Sequence, residues 1–253
     1  MNLVFSTGFL VPQMLGSLDY FREGPANYPD ALFSTVPIIG QISDRARALA
    51  SQIVQKFPAG PVHIIAHSMG GLDSRFLISQ DVQGLASAGR IASLSTIATP
   101  HLGSAVADFI AAPQDPLNIP VQILYETITA AVEAMGMPVG ALANLTTTYC
   151  ATFNAQNPDR PGVRYFSYAG VGLYNFFLKP THTYLQFVGR TPDQVQNDGM
   201  VTLASANHNG LTEPPWAADH VSEIGWQIDR PLFKGDFDYL AAIARIVERL
   251  QAL

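Results

Sequence analysis

At 253 residues the chain is long enough to bury a full core and fits one α/β domain with a modest insertion. Hydrophobic residues make up 48% and charged residues 13%, yet no run approaches the roughly 18 apolar residues of a membrane span, so no transmembrane segment is expected. A formal charge of −6 argues against nucleic acid or anionic membrane as partners, and the single cysteine, Cys150, excludes an internal disulfide and thiolate-rich metal sites.

Met1 runs straight into Asn2-Leu3-Val4-Phe5, which reads as a first core strand rather than a secretory leader. Residence inside the cell and removal of a leader both fit that start. The strand breaks at Ser6-Thr7-Gly8, followed by Phe9-Leu10-Val11-Pro12, and residues 12–40 read as loop because they are rich in Pro, Gly, Asn and Tyr. Ser43 is a suitable N-cap for a helix over about residues 44–57, with Asp44 in the first turn and Leu49, Ile53 and Phe57 on the buried face. Pro58-Ala59-Gly60-Pro61 stops it.

Val62-His63-Ile64-Ile65 is a short β-branched run suited to a buried parallel strand, and the pattern turns helical through Leu72 and Phe76 to about Ser79. Between them stands Ala66-His67-Ser68-Met69-Gly70-Gly71, one serine with small residues two positions before and after it. That is the layout of a nucleophile elbow, a sharp strand-to-helix turn that lifts a hydroxyl above the sheet edge. Ala66 takes the place of the usual first glycine. The flanking strand and helix make the motif specific; the bland alternative is a tight turn with a solvated serine.

Residues 91–98 read as the next parallel strand. It ends at Thr99-Pro100-His101-Leu102-Gly103-Ser104, at the carboxyl edge where open α/β sheets bind ligands. From about residue 104 to 158 the character changes: no Lys or Arg lies between Arg90 and Arg160, and Leu124, Ile128, Ala131, Val132 and Met135 form a helical stripe. A cap packed on the core explains the stripe. Its place just after the strand that follows the serine favours a lid whose apolar underside touches an acyl chain. Residues 162–169 return to strand character, and Asp198-Gly199 marks a turn with a strand expected before it. Residues 205–230 are irregular and polar. A last helix over about residues 237–250 buries Leu240, Ile243, Ala244, Val247 and Leu250. Without repeats or linkers, residues 1–253 read as one domain carrying a lid or cap insertion at about 104–158.

A serine hydroxyl needs a base to take its proton and a third group to orient that base. Hydrolases of the α/β type place these in the chain order Ser, Asp or Glu, His, and this sequence offers Ser68, Asp198 and His220. His208 competes as base, while His67 adjoins the serine but points away from it. Asp193 and Asp219 compete as acid; Asp219, next to His220, reads as a surface or hydrogen-bonding residue. The oxyanion of a tetrahedral intermediate would take the backbone N–H groups of Met69 and Phe9. Leu10, His67, His101, Leu124 and Ile128 are the substrate-binding candidates, although a structural role suits His101 equally well. His182, His208 and His220 form no ligand-spaced pair, so neither metal nor cofactor is expected.

These residues resemble bacterial triacylglycerol lipases of the α/β-hydrolase superfamily, the Pseudomonas and Burkholderia type. The matching segments are Ala66-His67-Ser68-Met69-Gly70-Gly71-Leu72-Asp73-Ser74-Arg75, Thr99-Pro100-His101-Leu102-Gly103-Ser104, Asn197-Asp198-Gly199-Met200-Val201 and Asp219-His220. Weaker similarity runs from Leu142 through Phe153-Asn154 to Tyr168-Ala169-Gly170. The resemblance implies an α/β-hydrolase fold, a mostly parallel sheet with helices on both faces and a helical lid. It also implies ester hydrolysis with Ser68 as nucleophile, Asp198 as acid and His220 as base. Three departures stand out. The family's His-Gly before the oxyanion residue reads Thr7-Gly8; Ser222 replaces the calcium-binding aspartate two residues after the histidine, so no calcium is expected; and the chain is short, so the lid is expected to be reduced. Polyhydroxyalkanoate depolymerases share the Ala-His-Ser-Met-Gly elbow. The expected partner is an acyl ester or lipid, at a lipid–water interface. The alternatives are a polyester substrate and a hydrolase-fold binding protein without turnover.

Overall fold

The computed structural model describes residues 1–8, 19–37, 40–112, 118–134, 139–173, 175–227 and 237–253. The expectations for Phe9, Leu10 and Met135 lie outside these residues. Among the described residues five strands form one parallel sheet: β1 (Asn2–Ser6), β2 (Leu32–Phe33), β3 (Val62–His67), β4 (Ile91–Ile97) and β5 (Arg164–Tyr168), in the order β2-β1-β3-β4-β5. Val4, Phe5, Ile64, Ile65 and Leu94 are fully buried, which a parallel sheet requires when helices cover both faces. From β1 the chain goes out to β2 on one side and then returns to β3 on the other. The carboxyl ends of β1 and β3 therefore flank a switch point, where such sheets hold their ligands.

The helices are α1 (Gly24–Asn27), α2 (Ile42–Lys56), α3 (Met69–Ser79), α4 (Ala105–Ala111), α5 (Ile119–Ala134), α6 (Thr147–Gln156), α7 (Lys179–Val188), α8 (Pro192–Val195), α9 (Leu203–Ala206) and α10 (Tyr239–Gln251). Helices α2 and α3 cover one face, with Leu49, Ile53 and Leu77 against Val4, Ile64 and Leu94. Helix α10 covers the other, with Ala242, Ile243 and Ile246 near Phe5, Ile65 and Ile97. A third cluster joins Met69 and Leu72 of α3 to Val106 and Ile110 of α4, Ile128 and Val132 of α5, and Leu185 of α7. Each fully buried aliphatic side chain contributes about 1.5–3 kcal/mol, so this cluster fastens the segment after β4 to the elbow helix.

The structure departs from the sequence reading in four places. Helix α2 starts at Ile42 behind Gln41, which makes no side-chain cap, because burying Ile42 outweighs the capping preference of Ser43. The loop expected over residues 12–40 contains α1 and the two-residue strand β2, too short to show periodicity and held by Phe33 stacked on Phe5 at 4.6 Å. Among the described residues no strand lies between β5 and Asp198; α7 and α8 lie there, Pro192 opening α8. Helix α10 begins at Tyr239, with Asp238 accepting from the Ala241 amide at 2.9 Å. Its buried face runs through Ala242, Ile243, Ile246, Val247 and Leu250, leaving Leu240 and Ala244 on the flank. Cys150 is fully buried and its thiol is pushed up to about 12 by burial, an inert small hydrophobe. No helix among the described residues is long and apolar enough to cross a membrane.

Candidate active site

Strand β3 ends at His67 and α3 starts at Met69, so Ser68 must turn the chain within one residue. It does so at φ 54°, ψ −134°, a positive φ that costs a non-glycine residue about 1–3 kcal/mol. The surroundings hold it there. The Ser68 amide donates to the Ile97 carbonyl at 2.9 Å, and its carbonyl accepts from Thr99 Oγ1 at 2.8 Å. A Cβ at Gly70 would lie 2.6 Å from the Ser6 carbonyl oxygen and 2.8 Å from that of Thr7, so only glycine fits two residues after the serine.

The turn brings Ser68 Oγ to 3.0 Å from His220 Nε2, and His220 Nδ1 lies 2.7 Å from Asp198 Oδ2. Asp198 Oδ1 accepts from the amides of Met200 and Val201 at 2.8 and 2.7 Å, which fixes the carboxylate plane. The two loops are also joined directly, the His220 amide donating to the Asp198 carbonyl at 2.9 Å. Gly199 adopts φ 95°, as the Asp-Gly turn requires. An imidazole that gives its Nδ1 proton to a carboxylate presents the Nε2 lone pair to the hydroxyl, so the trio can move a proton off Ser68.

Two buried arrangements hold this geometry. Asp219 is fully buried: its carboxylate accepts from the Asn175 amide at 2.6 Å, the Ser222 amide at 2.9 Å and Ser222 Oγ at 2.7 Å. Of the two readings of Asp219, surface or hydrogen-bonding, the structure has the second, in a buried setting; it ties His220 to the segment after β5. Arg45 of α2 is the second. Its Nε bonds Asp73 Oδ2 at 2.8 Å, Nη2 donates to the carbonyls of Thr7 at 2.9 Å and Gly8 at 3.2 Å, and Nη1 donates to that of Pro37 at 2.6 Å. Both side chains are fully buried. The turn after β1 is thus locked to the helix that Ser68 starts. Spacing could not pair Arg45 with Asp73; the one hint was an arginine on the apolar face of α2, between Ile42 and Leu49.

Met69 is the first residue of α3, so its amide belongs to the first-turn N–H groups that a helix leaves unsatisfied internally. His67 and His101, both substrate-binding candidates, are buried with their ring nitrogens on protein partners. His67 is fully buried, with Nδ1 2.7 Å from the Tyr20 hydroxyl. His101 is held between Thr96 and Arg75, with its ring stacked on His208 at 4.5 Å. His208 pairs with Asp159 at 2.9 Å, and Asp193 is exposed on α8. Ile128 is fully buried in the core. Leu124 lines an apolar groove of about 710 Å³ between α5 and α7, with Phe176, Tyr184 and Phe187 among its walls.

No family model matches the chain. Its sequence is 34% identical over 203 residues to a Saccharomyces cerevisiae protein named triacylglycerol lipase 2, an alignment covering 76% of this chain and 56% of that protein. The chain therefore spans a little over half the length of that relative. The mature form of a Bacillus licheniformis lipase superposes with a TM-score of 0.67 at 23% identity, over 91% of this chain and 89% of that one. A metagenomic carboxyl esterase gives a TM-score of 0.66 at 22% identity, over 98% and 76%. The chain has the α/β-hydrolase fold. The Saccharomyces cerevisiae protein and a Vibrio cholerae protein, 24% identical over 240 residues, 83% of this chain and 75% of that protein, are both named triacylglycerol lipases, the group the elbow of this chain resembles.

Proposed function

We propose that this chain is a carboxylic ester hydrolase acting on acyl esters of the lipid type. The observation that carries the reading is the line from Ser68 Oγ through His220 to Asp198, at 3.0 and 2.7 Å. Ser68 Oγ attacks the ester carbonyl carbon while His220 Nε2 takes its proton. Asp198 stabilises the imidazolium that results, and the oxyanion receives the N–H groups of Met69 and Phe9. Collapse of the intermediate expels the alcohol, which leaves with the proton from His220, and Ser68 carries the acyl group. Water then attacks that ester with His220 as base, the carboxylic acid departs, and Ser68 regains its proton.

In this reading residues 1–253 are one domain and the segment 104–158 is its lid. Helix α5 is apolar on both sides, which supports that role. Ile128 and Val132 are buried beneath it, whereas Ile119 and Ile123 are 62% and 59% exposed on its outer side. A helix that meets lipid on one face and a site on the other needs that composition. The names of the curated relatives favour lipids over small soluble esters.

The test is hydrolysis of p-nitrophenyl esters from short to long acyl chains, with and without detergent micelles, by the native protein and Ser68→Ala. Activity absent from the variant and rising with chain length and micelles is the expected result. Activity confined to short soluble esters would replace the lipase by a carboxylesterase with an open pocket. A native protein that hydrolyses none of them would overturn the reading.

A further inference from the structure

Behind the candidate triad runs a second line of polar groups, two of them fully buried and Tyr20 half-buried, that the reaction above does not use. His67 lies one residue before Ser68, and its ring centroid is 4.6 Å from that of His220. Its Nδ1 meets the Tyr20 hydroxyl at 2.7 Å and its Nε2 lies 3.4 Å from Glu223 Oε2. That same carboxyl oxygen is 3.9 Å from His220 Nδ1. His67 and Glu223 are both fully buried. At the other end the turn after β1 packs on the Tyr20 hydroxyl: a Cβ on Gly8 would lie 2.6 Å from that oxygen and 2.8 Å from Ser68 Cβ. Three separate stretches thus meet at one imidazole: the segment of Tyr20, on which the turn after β1 packs, the end of β3, and the loop that carries His220. Polar groups buried this deeply cost stability unless paired, and an apolar filling would serve packing alone at least as well.

The donor inventory gives the line a direction. A phenol has one proton. Where the phenol gives that proton to His67 Nδ1, the ring accepts there. The imidazole proton then sits on Nε2 and points at Glu223. Burial first, and the nearby His220 second, hold His67 well below the ordinary histidine value, so it is uncharged at neutral pH. That is the state the reaction requires, because a cation here would oppose the imidazolium that forms on His220.

Resting on the ester-hydrolase reading, we propose that Tyr20, His67 and Glu223 are positioning residues, a buried brace that joins the turn after β1 to the His220 loop. The brace sets where the oxyanion turn and the imidazole stand relative to Ser68. None of the three touches the reacting atoms.

The test uses steady-state kinetics with a soluble p-nitrophenyl ester, together with melting temperatures, for Tyr20→Phe, Glu223→Leu, Glu223→Gln and the double variant Tyr20→Phe/Glu223→Leu. Tyr20→Phe keeps the ring and removes one hydroxyl, so it tests the brace without emptying the core. A misplaced base costs turnover more than binding, so Tyr20→Phe and Glu223→Leu should each lower kcat about tenfold or more and leave KM within about twofold. Glu223→Gln keeps a carbonyl acceptor and should fall less than Glu223→Leu. The double variant should be little worse than the poorer single, because the three act as one unit. Single variants that keep kcat within about twofold would overturn the brace. So would losses that multiply in the double variant, or that vanish once each protein is assayed well below its melting temperature. The Ser68→Ala control separates the two readings: a native protein that hydrolyses the ester while Ser68→Ala does not retains the hydrolase reading whatever the brace variants do. A native protein without hydrolysis loses both.

Discussion

Among the described residues, two clusters that each bring together a hydroxyl, a histidine and an aspartate are wired in opposite directions. In the first, His220 Nδ1 faces Asp198 at 2.7 Å and Nε2 faces Ser68 at 3.0 Å. In the second, His101 Nδ1 faces the Arg75 guanidinium at 3.3 Å and Nε2 faces the Thr96 hydroxyl at 3.1 Å. A guanidinium only donates, so His101 must accept on Nδ1 and carry its proton on Nε2, spent on Thr96. It has no lone pair to offer that hydroxyl, which itself donates to the Phe166 carbonyl at 3.2 Å. Burial, His208 and Arg75, in that order, hold His101 well below the ordinary range. Asp159 pairs instead with the His208 ring, and the Ser167 hydroxyl bonds the His208 backbone, not its ring, donating to the carbonyl at 3.2 Å and accepting from the amide at 3.2 Å. Thr96 sits within regular strand, whereas Ser68 stands on a positive-φ elbow at the sheet edge. A base is made by what holds the far side of its ring, and a nucleophile by the turn beneath it.

The sharpest way to break this comparison is to remove each cluster's members. Ser68→Ala or His220→Ala should cost about 10⁵–10⁶ in kcat and Asp198→Asn about 10⁴, measured on p-nitrophenyl esters at matched folding. Next comes the support under the elbow. Arg45→Met strands the buried Asp73 carboxylate and should cost about 3–5 kcal/mol by urea unfolding. Arg45→Met/Asp73→Leu should regain most of that. On the other side, His101→Gln should cost about 1–3 kcal/mol while leaving kcat within about threefold. A loss near that of His220→Ala would erase the distinction between the clusters.

The smallest effect concerns pH. Burial, then the charges of Asp198 and Asp219, hold the Glu223 carboxyl well above the usual carboxylate range. A raised folded value means that its protonated form stabilises the fold at low pH, and that this contribution is lost as pH rises toward that value. His67 is depressed, so its neutral form stabilises the fold above the ordinary histidine value, and this contribution is lost as pH falls below it. Melting curves from about pH 5 to about pH 9 should show Glu223→Gln gaining on the native protein toward alkaline pH. A constant offset across the range would count against a protonated Glu223.

Much of the site could be read from local signals. Ser68 announces itself by a β-branched run, small neighbours and a helical period, and Asp198 by an Asp-Gly turn. His220 follows from chain order. The structure brings these three within hydrogen-bond distance. What stayed hidden is made by pairs far apart in the chain: Arg45 with Asp73, Asn175 with Asp219, and Glu223 with His67, 156 residues away. A charged residue gives no sign in sequence that it will be buried and paired, which is why Asp219 read as either surface or hydrogen-bonding. Side-chain direction was equally hidden. His67 and His101 lie beside the site in sequence, yet both rings turn into the core. In the fold, apolar runs located β1, β3 and β4, whereas the two-residue β2 was too short for periodicity to show.

The most direct measurement is labelling by a serine-reactive phosphonate, with the adduct located by mass spectrometry in the native protein, His220→Ala and His101→Gln. Stoichiometric labelling of Ser68 in the native protein and in His101→Gln, with almost none in His220→Ala, is the predicted result. Labelling at another residue, or labelling of Ser68 at the native rate without His220, would contradict the claim that this one histidine activates this one hydroxyl.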